Sequence, residues 1–159
     1  GADFIAWGKG PFSFLYKYQM KGVKSIIKGL EFNLSYDYHN FTITYDYSLV
    51  RGDDLTNNIP LSYINPDKHI VVLDYDTELM NYKLRSTYVH SQNRLGEFES
   101  YTPSAFLADL ILSYHKKNHN ITVQLNNLLD RTYYNHLSKI KSIIPEAGRN
   151  IKVFYKVFF

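Results

Sequence analysis

Apolar and polar residues alternate with a period of two through most of this 159-residue chain, which restricts it to extended strands that are oily on one side. The pattern is cleanest from 41 to 49, where Phe41, Ile43, Tyr45, Tyr47 and Leu49 oppose Thr42, Thr44, Asp46 and Ser48. It recurs from 26 to 36, 71 to 79, 106 to 114 and 121 to 129, and less cleanly from 83 to 95 around Leu84 and Tyr88. The last nine residues repeat it, with Ile151, Val153, Tyr155, Val157 and Phe159 on one face and Lys152, Phe154, Lys156 and Phe158 on the other. A strand that is apolar up to its final residue is an aggregation-prone edge in water. In the wall of a barrel immersed in lipid it is ordinary.

Seven strands are expected on this basis. An eighth is placed at the N-terminus, where Phe4 to Trp7 and Phe12 to Met20 read as two strands or as a strand and a folded loop. The connections alternate in length. Those at 37–40, 81–83 and 116–120 are short, and those at 52–67, 96–103 and 136–148 are longer. Antiparallel neighbours with short turns at one end and long loops at the other form an up-and-down meander, as in outer-membrane barrels. The expected fold is all-β, a meander of about seven or eight antiparallel strands in a transmembrane barrel. The one helical signal, 138–144, amounts to a single turn before Pro145.

Composition narrows the function. The chain has 15 Tyr, 10 Phe and 1 Trp, and Tyr suits both strands and membrane interfaces. No run approaches the ~20 apolar residues of a membrane helix. The mean hydropathy of -0.32 speaks against a helical membrane protein and is compatible with a barrel, whose strands are half polar. The net charge of +3 is scattered, without the basic stripe of a nucleic-acid-binding surface. Cysteine is absent, which removes disulfides and thiolate metal sites. Residues 1–7 read like the middle of a strand and not like a signal peptide, so a fragment or processed chain is expected.

Motifs in the last third carry a resemblance. Asn127-Leu128-Leu129-Asp130 is followed by Tyr133 and Tyr134, then by Pro145-Glu146-Ala147-Gly148-Arg149-Asn150 and a strand closing on Phe159. Upstream lie Ser25 to Glu31, with Gly29 before Glu31, and the loop Leu55 to Pro66 with Ile59-Pro60-Leu61 and Ile64-Asn65-Pro66. In order and spacing these resemble the C-terminal barrel of TonB-dependent outer-membrane receptors, over roughly residues 20 to 159. The resemblance implies a barrel of about 22 strands around a plug, with 1–159 as one segment from its C-terminal part and the plug absent. It also implies bacterial outer-membrane lipid as surroundings. The implied partners are the rest of the barrel and the plug, TonB through the missing N-terminal region, and the barrel-assembly machinery. That machinery would read Tyr155, Val157 and Phe159 as an assembly signal. The implied cargo is a scarce nutrient such as ferric siderophore, haem, cobalamin or a glycan.

The motif residues read as structural. Gly148 is expected to let the chain turn without a Cβ clash, and Gly29 to leave space on the lumen side. Strand parity puts Asn127 with Leu125 and Leu129 on the lipid side, near a rim, bonding neighbouring backbone. Register suggests that Arg149 pairs with Asp130.

Other candidates weigh less. His115 and His119 have a spacing that holds zinc on a helix, but they flank a turn, and His39, His69, His90 and His136 are scattered near strand ends. Asp53-Asp54 reads as a solvated loop, and Asn40-Phe41-Thr42 and Asn120-Ile121-Thr122 match a glycosylation pattern by coincidence. No catalytic constellation, cofactor or metal site is expected. Tyr36, Tyr45, Tyr47, Tyr155 and Phe159 read as an interfacial belt, and ligand contacts are expected from the long loops. Two other architectures fit the alternation: a self-contained eight-stranded outer-membrane barrel and a soluble lipocalin-like barrel with a buried cavity.

Overall fold

The computed structural model describes residues 2–4, 16–18 and 22–158, with side chains from 22 onward. Among the described residues there are ten strands: β1 (Ala2–Phe4), β2 (Tyr16–Tyr18), β3 (Ser25–Tyr38), β4 (Phe41–Asp54), β5 (Ile59–Pro60), β6 (Lys68–Asp76), β7 (Met80–Val89), β8 (Ala105–Lys116), β9 (His119–Asn126) and β10 (Asn150–Val157). β1 and β2 pair with each other, and most of the expected N-terminal strand region lies outside the described residues, as does Phe159. The remaining strands form one antiparallel sheet in the order β10-β9-β8-β7-β6-β4-β3, with β5 beside β4. Among the described residues, β3 and β10 remain edges and do not pair with each other. The long strands match the ~9–11 residues needed to cross a bilayer.

The register sorts the side chains. Ile43, Leu73, Leu84, Leu110, Leu125 and Ile151 occupy successive positions of one row, all on one face. On the loop side, that face carries Phe32, Tyr47, His69, Tyr88 and Phe106. On the turn side, it carries Tyr38, Phe41, Tyr75 and Tyr82, then Tyr114, Ile121 and Tyr155 one pair further along. The face is thus an aliphatic band bordered by aromatic rows. Phe32 and Tyr38 are six residues apart, about 20 Å at ~3.4 Å per residue.

The opposite face is mainly polar, with Ile70, Val72, Leu107, Ile111 and Phe154 among its members, and is bonded across strands. Lys83 Nζ lies 2.9 Å from Asp74 Oδ2, Thr42 Oγ1 donates to Asp37 at 2.6 Å, and Asn126 Nδ2 donates to Asn150 at 3.0 Å. No hydrophobic side chain is buried among the described residues, so there is no dry centre of the kind a lipocalin-like barrel requires. The oily face is exposed, with Ile151 and Val153 at 66% and 65%. A contiguous exposed apolar surface of this extent requires a non-aqueous cover.

Several boundaries differ from the sequence pattern for local reasons. The turn expected at 81–83 lies at 77–79, because the Thr77 hydroxyl bonds both the N–H and the C=O of Met80 at 2.9 Å and closes the hairpin there. β6 therefore stops at Asp76 and Leu79 is off the strand. β7 ends at Val89, and beyond it only Gln92 bridges Thr102. β9 stops at Asn126, so Leu129 has no strand parity. The other tight turns hold left-handed residues, His39 at φ 51° and Lys117 at φ 50°. The long connections are L1 (55–67), L2 (90–104) and L3 (127–149), all at the same end of the sheet.

Candidate functional site

The motif residues at 127–150 fasten the two legs of L3. Asn127 leaves β9 with φ 51°, which turns its side chain away from the position that strand parity assigned. It is 4% exposed, so it does not face outward as expected. Its amide closes a ring with Arg131, accepting from the Arg131 N–H at 2.9 Å and donating to its C=O at 2.8 Å. It also donates to Ala147 C=O at 3.4 Å on the returning leg, and its own N–H is held by Asp109 at 2.8 Å. The expected role, bonding neighbouring backbone at a rim, matches these contacts. Leu128 N–H donates to Ala108 C=O at 2.8 Å. Asp130, also left-handed at φ 51°, accepts from the Arg149 N–H at 2.9 Å. Gly148 leaves room for Asp130, whose Oδ1 would lie 3.2 Å from a Cβ there and would have to shift by a few tenths of an ångström. Asn150 donates to Gly148 C=O at 2.9 Å.

L1 and L2 pack through glycines. A Cβ on Gly96 would lie 2.4 Å from Ser62 N, and one on Gly52 2.8 Å from the Ile64 side chain. Gln92, buried, donates to Ile64 C=O at 3.0 Å. Arg51 grips Asp67 with both guanidinium nitrogens, Nη2 at 2.7 Å from Oδ2. The Arg51 hydrogen bond holds the Asp67 carboxyl below its usual range, outweighing its burial.

All three loops meet at a buried polar cluster. Glu99 accepts from Tyr63 N–H of L1 at 2.7 Å and from Gly96 N–H of L2 at 2.8 Å. Its Oε1 lies 3.2 Å from His136 Nε2 of L3, off the line of a good hydrogen bond, so that contact is chiefly electrostatic. His136 is 3% exposed. Its Nδ1 is 2.8 Å from Thr102 Oγ1 and 3.1 Å from Lys141 Nζ. Lys141 also donates to Ser100 C=O at 2.6 Å and to Thr102 at 2.7 Å. An ammonium at Nδ1 leaves the ring proton on Nε2, toward Glu99. Burial first, then Lys141, lowers the His136 pKa against the opposing pull of Glu99, and burial lowers that of Lys141. The sequence pattern missed this cluster because its members are separated along the chain and none repeats with a strand period.

L3 folds back over the polar face and roofs a partly open cavity of about 490 Å³. Glu31, Ser48 and Lys68 form its wall, and Tyr133, Tyr134, His136 and Glu146 its roof. Burial, with Glu146 and Asp109 nearby, raises the Tyr133 pKa. The expected single turn within 138–144 is present, with Ile144 N–H donating to Ile140 C=O at 3.0 Å.

The remaining candidates separate. His115 pairs with Asn120 and His119 with Lys116, which puts the two histidines on opposite faces. His119 Nδ1 instead lies 2.8 Å from Tyr155 Oη. His69 and His90 meet at Nε2···Nε2 3.0 Å in the aromatic row, where His69 stacks on Tyr47. Asp53 binds Arg94, and Asp54 accepts Thr56 N–H at 2.8 Å and Asn57 N–H at 3.1 Å, so this pair caps a strand end.

Comparison with known proteins agrees with this architecture. Two solved structures share the fold. The copper transporter OprC superposes with a TM-score of 0.81 at 21% identity, covering 86% of this chain and 24% of that one. A chain in the structure of the FpvAI-pyocin S2 complex superposes with a TM-score of 0.65 at 20% identity, covering 98% of this chain and 22% of that one. The chain thus spans about a quarter of the length of these structures. No curated protein sequence matches it. The family model described as TonB dependent receptor-like, beta-barrel matches residues 3–128, and the chain belongs to that family.

Proposed function

We infer that residues 1–159 form the C-terminal wall of a larger outer-membrane barrel, with a plug and a TonB-contacting segment supplied elsewhere in the receptor. The carrying observation is the division of the sheet into an oily face with aromatic borders and a predominantly polar face roofed by L3. Lipid covers the first face and cargo passes along the second. The long loops are extracellular in this reading and the short turns periplasmic.

The function is energised import of a scarce nutrient, with no catalysis. A metal or a metal chelate such as a ferric siderophore is the favoured cargo, since one structural neighbour is a copper transporter. Haem and cobalamin stand behind it. Tyr133, Tyr134 and Glu146 are the contacts offered to cargo from the cavity roof. Tyr155, Val157 and Phe159 serve as the signal read during barrel assembly, and Asn127, Leu128, Asp130, Gly148, Arg149 and Asn150 serve as the fastening of L3.

Uptake of labelled Cu(II), ferric siderophores, haem and cobalamin by cells carrying the full-length receptor tests the reading. Uptake of one of these that disappears when TonB is deleted supports it. Accumulation of none of them, or uptake unchanged without TonB, overturns it.

A further inference from the structure

We propose that His136 is the pin of an acid-opened latch, holding L3 closed over the cavity while its ring is neutral and releasing it on taking a second proton. The inference rests on the transport reading for its purpose and on the loop geometry for its mechanism.

Three loops converge on this one ring. Glu99 ties L1 to L2 through the Tyr63 and Gly96 amides and faces the ring at Nε2. Thr102 of L2 and Lys141 of L3 face it at Nδ1. These are the charged and titratable groups at the ring among the described residues. From L1 only the Tyr63 amide reaches the cluster, through Glu99, while the Tyr63 ring lies 5.8 Å from Lys139 Nζ.

The neutral ring fits both sides. Nδ1 accepts from the ammonium, and Nε2–H faces the carboxylate. A second proton has to go on Nδ1, where it meets Lys141 Nζ 3.1 Å away. An N–H then faces an ammonium as well as the Thr102 hydroxyl at 2.8 Å, and burial of the ring weakens the screening of that repulsion. Glu99 attracts the new charge but already accepts two backbone N–H groups. Withdrawal of His136 from the site relieves the clash, and His136 itself forms part of the cavity roof beside Tyr133, Tyr134 and Glu146.

The sign follows from linkage. A ring that is harder to protonate in the closed form makes closure complete above the ordinary imidazole range of ~6.5. Opening then grows by about tenfold for each pH unit below that, until the closed form protonates as well.

Hydrogen exchange of the full-length receptor in detergent, without cargo, tests the latch between pH 7.5 and pH 5. After correction for intrinsic exchange, amides 134–143 lose at least about tenfold protection in acid, while the strand amides of β8 and β9 keep theirs. Lys141→Met removes the opposing charge but not the burial of the ring, so its acid step is smaller than that of the wild type. His136→Gln shows no acid step. Exchange of the wild-type loop that does not depend on pH overturns the proposal. So does a Lys141→Met loop open at both pH values, which would make Lys141 a structural support only. Cargo takes no part in these measurements, so an intact acid step in a receptor that imports nothing leaves the latch standing and removes the transport reading.

Discussion

Asp130 and Arg149 are joined twice, once through the Arg149 N–H at 2.9 Å and once through its guanidinium at 3.6 Å. The two contacts are unequal. Both side chains are more than half exposed, so the ion pair is screened and contributes ~0–1 kcal/mol. The backbone hydrogen bond is the one that sets where L3 returns to the sheet.

Asp130→Asn therefore keeps the acceptor and stays near wild type, whereas Asn127→Ala strands the Arg131 and Ala147 backbone groups. Each lost hydrogen bond to these exposed residues costs ~0.5–1.5 kcal/mol. The temperature at which the full-length receptor loses heat-modifiable mobility on gels should fall clearly for Asn127→Ala and hardly for Asp130→Asn.

Leu125 sits between Leu110 and Ile151 in the aliphatic band, and Gln124 beside it faces the polar side. Leu125→Arg should destabilise the folded barrel by ~2–4 kcal/mol, while Gln124→Arg is tolerated. Denaturant titration of both variants in lipid vesicles checks this. Equal stability of the two would contradict the assignment of faces.

Gly96→Ala places a methyl group 2.4 Å from the Ser62 backbone nitrogen, which has no flexible end to move. The expected cost is ~1–3 kcal/mol, from separation of L1 and L2. Gly22→Ala, with nothing within 4 Å, is the matched control. Protease nicking in L1 and L2 should rise for the first and not for the second.

The Asp67 carboxyl has its folded pKa lowered by Arg51. Its contribution is present above the ordinary carboxylate range and is lost only as pH falls through the lower folded value. Exchange at 67–69 should therefore stay constant from pH 7.5 to pH 5. Asp67→Asn should raise it at both. An acid step at 67–69 in the wild type would show that another group titrates there.

Tyr155 and Val157 lie on the oily face of β10, opposite Ile121 and His119. Replacing both by Asp should lower the amount of assembled receptor in cells by more than it lowers the stability of protein refolded in detergent. Equal losses in the two measurements would assign these residues a packing role alone.

The alternation of Phe41 to Leu49 and of Ile151 to Val157 was enough to specify strands, their antiparallel order and the oily face, because in a sheet the side-chain direction follows from parity alone. The Asn-Leu-x-Asp and Gly-Arg-Asn segments marked where L3 begins and ends. Parity stopped being informative where the strand stopped. Asn127 was misassigned because one left-handed residue redirects a side chain, and the 77–79 turn because a single Thr77 hydroxyl moved the hairpin. Glu99, Thr102, His136 and Lys141 had no sequence signature at all, since loops converge through tertiary packing and not through any period of the chain. Sequence alone decided which side of this wall is oily; only the folded loops decided which polar groups are shut away from water above it.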